Sequence, residues 1–392
     1  MPACYEMNID DRRKYLSRMQ GRYLSAERAR KGELLTEMEA VTGLHHKSLV
    51  RLLRAPSLRR QARQVKRGAT YGVEVRDVVR VVWESLDHIC AQRLTPSLPS
   101  TARHLAGFGE LALTEETTAL LAKISRPTVQ RMLTRVTQDT HRLPRRGPES
   151  ANRLTREIPM GRLPWDIGEP GHFEVDLVHH CGPSTDGDYL HTLQMIDVAL
   201  GWSERVAVLG RSQRAMEQGF RVIMARLPYP IRQLHPDNGP EFLNNHLVRF
   251  FGETVSGLKL SRSRPWLKND NRFVEQKSDT LVRAYFGRER LDTPAQCQAM
   301  NVIYDQMWVY YNLFQPVLHL VAKTVVEGKV KRQWDEAKTP YDRLLTTGVL
   351  SGEGRARLAE LHAQANPRQL RERVYELRDA LWERPRVLGV GS

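Results

Sequence analysis

Apolar residues recur every three or four positions in the first third of the chain and again near its end, and every two positions in between. Tyr15, Leu16, Met19 and Tyr23 predict a helix over 11–30. A second helix, Glu33 to Val41, stops at Thr42-Gly43, and a third runs from His45 to Arg54 with Leu49, Leu52 and Leu53 inward. Val78, Val79, Val82, Leu86 and Ile89 make Val73 to Cys90 amphipathic, and Thr95 to Ser100, with Pro96 and Pro99, reads as a loop. Helices over Glu115–Ala122 and Thr128–Arg135 follow, the latter with Ser125 as N-cap and Pro127 in its first turn. The period then changes. Phe173–His179, Tyr189–Val198 and Ser203–Leu209 read as strands, with Asp197–Trp202 as the turn before the third. Helix Gln213–Leu227, strand Ile231–His235, helix Glu241–Glu253, strand Leu258–Ser261 and a long helix Asp270–Phe286 complete that region. After Asp292 the pattern is mainly helical: Ala295–Asn312, a short helix capped by Thr339, and a tail over 351–384.

The expected class is therefore multidomain, α followed by α/β, with a mixed five-stranded sheet covered by helices on both faces. The segments are 1–68 and 69–140, each a helix-turn-helix unit; 141–168, a Pro- and Arg-rich linker; 169–292, the α/β core; and 293–392, a mainly helical region containing a basic stretch, Lys329 to Trp334. No apolar run approaches the ~18 residues of a membrane span, and Met1-Pro-Ala-Cys-Tyr-Glu does not read as a signal peptide. Four cysteines without a Cys-x-x-Cys pair fit a reducing cytoplasm and argue against a zinc or disulfide scaffold. Cys181 follows His179 and His180, but consecutive strand residues alternate faces and cannot all point at one ion.

Charge narrows the partner. The chain carries a net charge of +15, and no acid lies between Glu39 and Glu74. A polyanion suits such a distribution, because each neutralised phosphate releases condensed counterions. On the third helix and its extension His45, His46, Lys47, Ser48, Arg51, Arg54, Arg59 and Arg60 are candidate DNA contacts. On the second unit they are Arg126, Thr128, Gln130, Arg131 and Arg135, and in the linker Arg145 and Arg146. Lys277 and Arg283 on the long helix complete the set. At 100° per residue Arg283 lies about 80° around that helix from Glu275 and only partly shares its face.

The chemistry centres on Leu234-His-Pro-Asp-Asn-Gly-Pro-Glu-Phe242, where an apolar strand ends in Asp237 before a Gly/Pro turn. Asp176 closes the alternating run from Phe173, and Glu275 sits in Asn269-Asp-Asn-Arg-Phe-Val-Glu-Gln-Lys277. Glu174, Asp197, Glu241 and Asp270 are rival acids, read as structural or supporting. Two strand acids and a helix glutamate, in that order and with those flanking residues, resemble the catalytic core of bacterial insertion-sequence transposases of the DDE / retroviral-integrase superfamily. The resemblance implies a ribonuclease H-like fold and three metal-binding catalytic acids, Asp176, Asp237 and Glu275. It implies two Mg²⁺ ions (Mn²⁺ as substitute) per site and phosphoryl transfer that frees 3′-OH ends and joins them to target DNA. The partners so implied are double-stranded DNA, as terminal repeats and target, and further copies of the chain on that DNA, with no membrane. A DNA-binding repressor with an inactive core, or a ribonuclease H-like nuclease directed by structure, would be the alternatives.

Overall fold

A computed structural model of the chain describes residues 7–58, 70–136, 167–236, 242, 245–255, 257–261, 272–326 and 329–383. They fall into two compact units, Met1–Thr70 and Tyr71–Ser392.

The first unit holds α1 (Ile9–Ser25), α2 (Arg28–Thr42) and α3 (His46–Leu53). Asn8 caps α1 by accepting from the N–H groups of Asp10 and Asp11 at 2.9 Å, and those two acids complement the positive end of the helix. The helix expected over 11–30 ends five residues early, at Ser25. The Ser25 hydroxyl bonds back to the Gly21 carbonyl, Ala26 is extended, and the chain turns a corner so that Leu34 and Met38 can meet Leu16, Met19 and Tyr23. Gly43 ends α2 at φ 67°, a left-handed conformation that places its N–H on the Glu39 carbonyl. His45 then caps α3, its Nδ1 accepting from Lys47 N–H.

The second unit is built on a five-stranded sheet of β1 (His172–His179), β2 (Leu190–Asp197), β3 (Ser203–Leu209), β4 (Gln233–Pro236) and β5 (Lys259–Leu260). Its order is β3-β2-β1-β4-β5, with β2 antiparallel to β1 and β3, and β4 parallel to β1 and β5. This mixed sheet fits the α/β core expected from the sequence. Phe173, Val175, Leu177, Leu193 and Met195 pack on one face with Met216, Phe220 and Ile223 of α8 (Gln213–Arg226) and Leu247 of α9 (Asn245–Thr254). Val178, Leu190 and Ala207 belong to a second cluster with Leu281, Val282 and α12 (Pro294–Val309). The long helix is not regular: α10 (Arg272–Lys277) passes into a π-helical turn, Ser278–Arg283, before α11 (Ala284–Phe286). A second π-turn, Tyr310–Phe314, extends α12.

Four more helices precede the sheet in sequence: α4 (Val73–Ser85), α5 (Ala91–Gly107), α6 (Glu115–Lys123) and α7 (Arg126–Leu133). Two expectations fail here. Thr95 to Ser100 is not a loop but the middle of α5, prolines included. Leu94, Leu98, Ala102 and Leu105 are completely inaccessible, and burying that stripe outweighs the cost of two prolines inside a helix. The helix drawn to Cys90 stops at Ser85, because Asp87 and His88 take left-handed φ values of 55° and 58°. The C-terminal region is also less helical than expected. Leu320–Val326 and Lys329–Trp334 form an antiparallel hairpin, β6 and β7, before α13 (Pro340–Leu345), α14 (Gly352–Gln364) and α15 (Pro367–Trp382). The last two divide the expected single tail, with Asn366 capping α15 and Pro367 opening it.

The left-handed Asp87 is held by the C-terminal helix: its Oδ1 accepts from Arg371 Nε at 3.0 Å and from Tyr375 OH at 2.8 Å, all three side chains buried. Tyr310 OH donates to the Ser85 carbonyl and Gln315 Nε2 to that of Leu86. The segment after α4 is thus tied to α15 and to the second π-turn. Arg371→Met removes the cation from a buried carboxylate, and such a loss costs about 3 kcal/mol or more. Urea unfolding should show it, and a loss under about 1 kcal/mol would contradict the burial of the pair.

Two buried histidines set a pH dependence. Burial, chiefly, lowers His180 to about 3 and His191 to about 4. Both are neutral in the fold, whereas the unfolded chain protonates them near 6.5. The unfolded state therefore binds more protons below pH 6.5, and the stability these histidines contribute is lost progressively from pH 6.5 down to about 4 for His191 and about 3 for His180. His191→Gln should flatten the decline between pH 6.5 and 4 by up to about 1.4 kcal/mol per pH unit. An unchanged slope in urea melts across that range would refute this.

Candidate active site

The arrangement begins with two carboxylates two residues apart on β1. Glu174 is almost wholly buried, and its Oε2 accepts from the Phe273 and Val274 N–H groups at 2.8 and 3.0 Å. Those are first-turn donors of α10, which have no partner within the helix, and an anion there is favoured by both hydrogen bonding and the helix dipole. Asp176 is only half-buried. Its Oδ2 accepts from Ser278 Oγ at 2.6 Å, and Val274 O lies 2.9 Å from the same hydroxyl. One hydroxyl proton serves one acceptor at a time, and the shorter, charged contact with Asp176 is the stronger. Gln194, the cross-strand partner of Asp176, donates from Nε2 to Val274 O at 3.2 Å and lies 3.4 Å from Ser278 Oγ. Helix α10 is thus fixed to β1 at two levels.

Glu275 lies one turn before Ser278 on this helix and is exposed. Residues three apart share a helix side, so Glu275 projects from the side whose next turn touches Asp176. On the other flank β4 ends at Pro236, whose Cα partner on β1 is Val175. Asp237, with Asn238 to Glu241, lies outside the described residues. His235 Nδ1 is 2.8 Å from Ser261 Oγ. Among the described residues no group of three His, Cys, Asp or Glu side chains is placed to hold a metal ion.

A constant 100° per residue does not hold between Glu275 and Arg283, because the π-turn Ser278–Arg283 intervenes. Val282 is buried, while Arg283 is half-buried with its Nη1 on the Gly287 carbonyl. Burial, chiefly, lowers its pKa, with Arg288 adding to the effect. Lys277 is half-buried. Asp197 turns inward: its carboxylate accepts from the N–H groups of Gly171, Ala199 and Leu200, closing the β2–β3 turn. His180 points into the core, Nε2 on Thr192 Oγ1, which in turn meets Tyr304 OH. The sequence reading missed Ser278 and Gln194. The three-residue spacing from Glu275 was a signal for Ser278; Gln194 had none, because only the register reveals its partner.

The candidate DNA contacts divide by exposure. His45, Lys47, Arg51 and Arg54 are exposed on or beside α3 and Ser48 is half-buried, while His46 turns to Glu39, its Nε2 3.1 Å from the carboxylate. On α7 Arg126, Gln130, Arg131 and Arg135 are exposed, and Thr128 is tied to Ser125 and Arg131. Arg59, Arg60, Arg145 and Arg146 lie outside the described residues. Among the described residues no helix is long and apolar enough to cross a membrane.

No protein-family model matches the chain. Among solved structures it is similar to the catalytic core domain of BIV integrase, at 16% identity, over 45% of this chain and 95% of that one, with a TM-score of 0.30. A likeness that loose carries no weight on its own. The sequence relationship is firmer. Over 323 residues, 82% of this chain and 91% of the relative, it is 32% identical to "Uncharacterized protein y4rM" of Sinorhizobium fredii (strain NBRC 101917 / NGR234). At that identity and coverage, the chain belongs to the family of this Sinorhizobium protein.

Proposed function

We propose that the chain is a metal-dependent polynucleotidyl transferase of the DDE type: a transposase that binds the terminal repeats of its element, cleaves to free 3′-OH ends and joins them to target DNA. The observation that carries this reading is the double attachment of α10 to β1. Glu174 takes the helix N-terminus and Ser278 takes Asp176, with Glu275 exposed one turn before Ser278 and Asp176 half-buried. The end of β4, after which Asp237 follows in sequence, is paired next to the same point of β1.

Asp176, Asp237 and Glu275 are the proposed metal ligands. The donor set is all oxygen, and the nearby His235 ring is engaged with Ser261, which fits a hard cation better than zinc. When bound, a pair of Mg²⁺ or Mn²⁺ ions supplies an activated nucleophile and stabilises the leaving oxygen. The protein's own part is positioning. Ser278 fixes one Asp176 oxygen, and the other is the proposed metal ligand. Glu174, whose Oε2 accepts from two N–H groups of α10, serves the helix and not the metal. On the first unit, exposed Lys47, Arg51 and Arg54 present cations to DNA phosphates, and α7 offers Arg126, Gln130 and Arg131.

Asp176→Asn, Asp237→Asn and Glu275→Gln should each abolish nicking of a duplex carrying the inverted repeat that flanks the reading frame, while gel-shift binding persists. EDTA should stop the wild-type reaction and Mg²⁺ or Mn²⁺ restore it. Near-normal cleavage by Asp237→Asn would overturn the triad. Ser278→Ala should slow cleavage about tenfold to a hundredfold, the usual effect of removing a group that orients a metal ligand. Rescue by Ser278→Thr is expected; an unimpaired Ser278→Ala would remove the hydroxyl from the account. In the full chain, reversing Lys47 and Arg51 to Glu should weaken end binding and shallow its salt dependence by about 0.9 per lost phosphate contact. An unaltered salt slope would exclude α3 from the interface.

A further inference from the structure

The β6–β7 hairpin is not used by the reaction outlined above, and its surface is unusual. Lys331, Arg332, Gln333 and Trp334 are consecutive on β7 and all exposed, Trp334 at 45%. Successive strand residues point to opposite faces, so β7 is open on both sides along this run, while on β6 Leu320, opposite Trp334, is buried and Ala322 half-buried. Across the pair Thr324 and Val321 are exposed too, Val321 at the irregularity opposite Gln333 and Trp334. A two-stranded ribbon is marginal on its own. What steadies this one is its root. His319 N–H donates to Asp335 Oδ1 at 2.7 Å, Asp335 N–H returns a bond to the His319 carbonyl, and Arg343 Nη1 pairs with Asp335 Oδ2 at 2.7 Å. Val317 and Lys338 exchange a further pair of backbone bonds.

The root also lies against the sheet that carries the candidate site. A side chain added at Gly201, in the β2–β3 turn, would come within 3.0 Å of Val317 and 3.5 Å of His319. The His319 imidazole is held down to about 4, first by burial, then by Arg343, and further by Lys277 of α10. The ribbon is thus rooted near the helix that bears Glu275. From Leu320 to Trp334 the sequence has Lys323, Lys329, Lys331 and Arg332 against one acid, Glu327. A second copy of a chain with net charge +15 is a poor match for that surface, and a polyanion is a good one.

We propose that the β6–β7 ribbon is a further DNA-contacting element, lying along duplex DNA next to the candidate site with Lys331 and Arg332 on phosphates and Trp334 against the groove wall. A two-stranded ribbon fits a major groove, and an amphipathic ring beside cations suits a surface with charged phosphate ridges and, between them, base edges that carry both hydrogen-bonding groups and thymine methyls. The element is sequence-tolerant, since phosphates carry no sequence information. This rests on the reading above only for the class of polymer.

The test uses the full chain and a short duplex of random sequence, followed by fluorescence anisotropy over a salt series. Reversing Lys331 and Arg332 to Glu should weaken binding at least tenfold and reduce the salt slope by about two. A charge-matched control, Arg357→Glu with Arg373→Glu on α14 and α15, should leave both unchanged. Trp334→Ala should weaken binding without altering the slope, and circular dichroism should show all variants folded. Equal effects in the ribbon variant and the control, or an unchanged slope in the ribbon variant, would overturn the proposal. So would a ribbon variant that binds DNA normally but sediments as a smaller oligomer, which would make the ribbon a contact between copies. The outcome is separable from the transferase reading: a wild-type chain that never cuts DNA with Mg²⁺ defeats that reading and leaves the ribbon result standing.

Discussion

The first-turn N–H groups of α10, which have no partner within the helix, impose the constraint on which the candidate site depends. A buried helix start must find acceptors, and the Oε2 atom of Glu174 provides one for Phe273 and Val274. Hydrogen bonds to a charged group contribute about 1.5–3 kcal/mol, enough to select one rotation of the helix over its neighbours. Once that rotation is chosen, Ser278 falls on Asp176, Val274 turns inward, and Glu275 faces out. Two acids on the same face of one strand therefore acquire different tasks. The buried one accepts from the helix start, and the half-buried one accepts from the Ser278 hydroxyl one turn further on. Neither residue type nor spacing distinguishes them; the position of the helix start does.

Much of the sheet was legible because its strands announce themselves by period and by their turns. The sequence of β1 alternates apolar and polar residues from Phe173 to Leu177 although its burial does not, β2 is buried at every position, and the Gln213–Leu227 stripe matches α8 almost residue for residue. The failures share a cause, which is that local signals were allowed to decide where packing does. Pro96 and Pro99 spoke for a loop, but the stripe of Leu94, Leu98, Ala102 and Leu105 had the larger claim on α5. Leu320–Val326 is rich in β-branched residues and was still passed over, because the mainly helical flanks set the expectation and the partner strand is dominated by charge. The π-turn was invisible to any argument that assigns every residue the same rotation. Of the candidate site, Asp176 and Glu275 can be located, and Asp237 lies outside the described residues.

Packing also determines what forms one body. α4 to α7 precede the sheet in sequence, yet hydrogen bonds join them and the turn after α4 to later parts of the chain: Asp87 to Arg371 and Tyr375, Tyr310 to Ser85, Arg93 to Pro316, His104 to Ala365. The tyrosines extend this contact inward. Tyr285, from the helix that begins with α10, meets Tyr311 hydroxyl to hydroxyl at 2.6 Å, and Tyr311 lies under the buried Arg205 guanidinium. A buried cation needs compensation, and an aromatic face provides part of it. The three-helix unit at the N-terminus, by contrast, closes its core with its own residues.

The same helical layer solves a problem that an open sheet creates. β3 is an edge strand, and its outward backbone groups at alternate residues would be a template for another chain. Side chains occupy them in turn. Asn312 accepts from Ser203 N–H and donates to the Ser203 carbonyl; Arg226 donates to the Arg205 carbonyl; Asn301 both accepts from Ala207 N–H and donates to its carbonyl. Two asparagines can do this because a carboxamide carries a donor and an acceptor, as a peptide group does. They must also stand at the spacing of alternate strand residues. Asn301 and Asn312, eleven positions apart, lie about three turns apart along α12 and its π-turn, while Ser203 and Ala207 are separated by about 13–14 Å of strand. Three helical turns cover about 16 Å, so the two rises nearly match and helix and strand run antiparallel along the contact. The π-turn falls at Asn312, where a local widening of the helix brings Tyr310, Tyr311 and Asn312 all into the interior. Covering the edge and building the tyrosine layer are consequently one structural act.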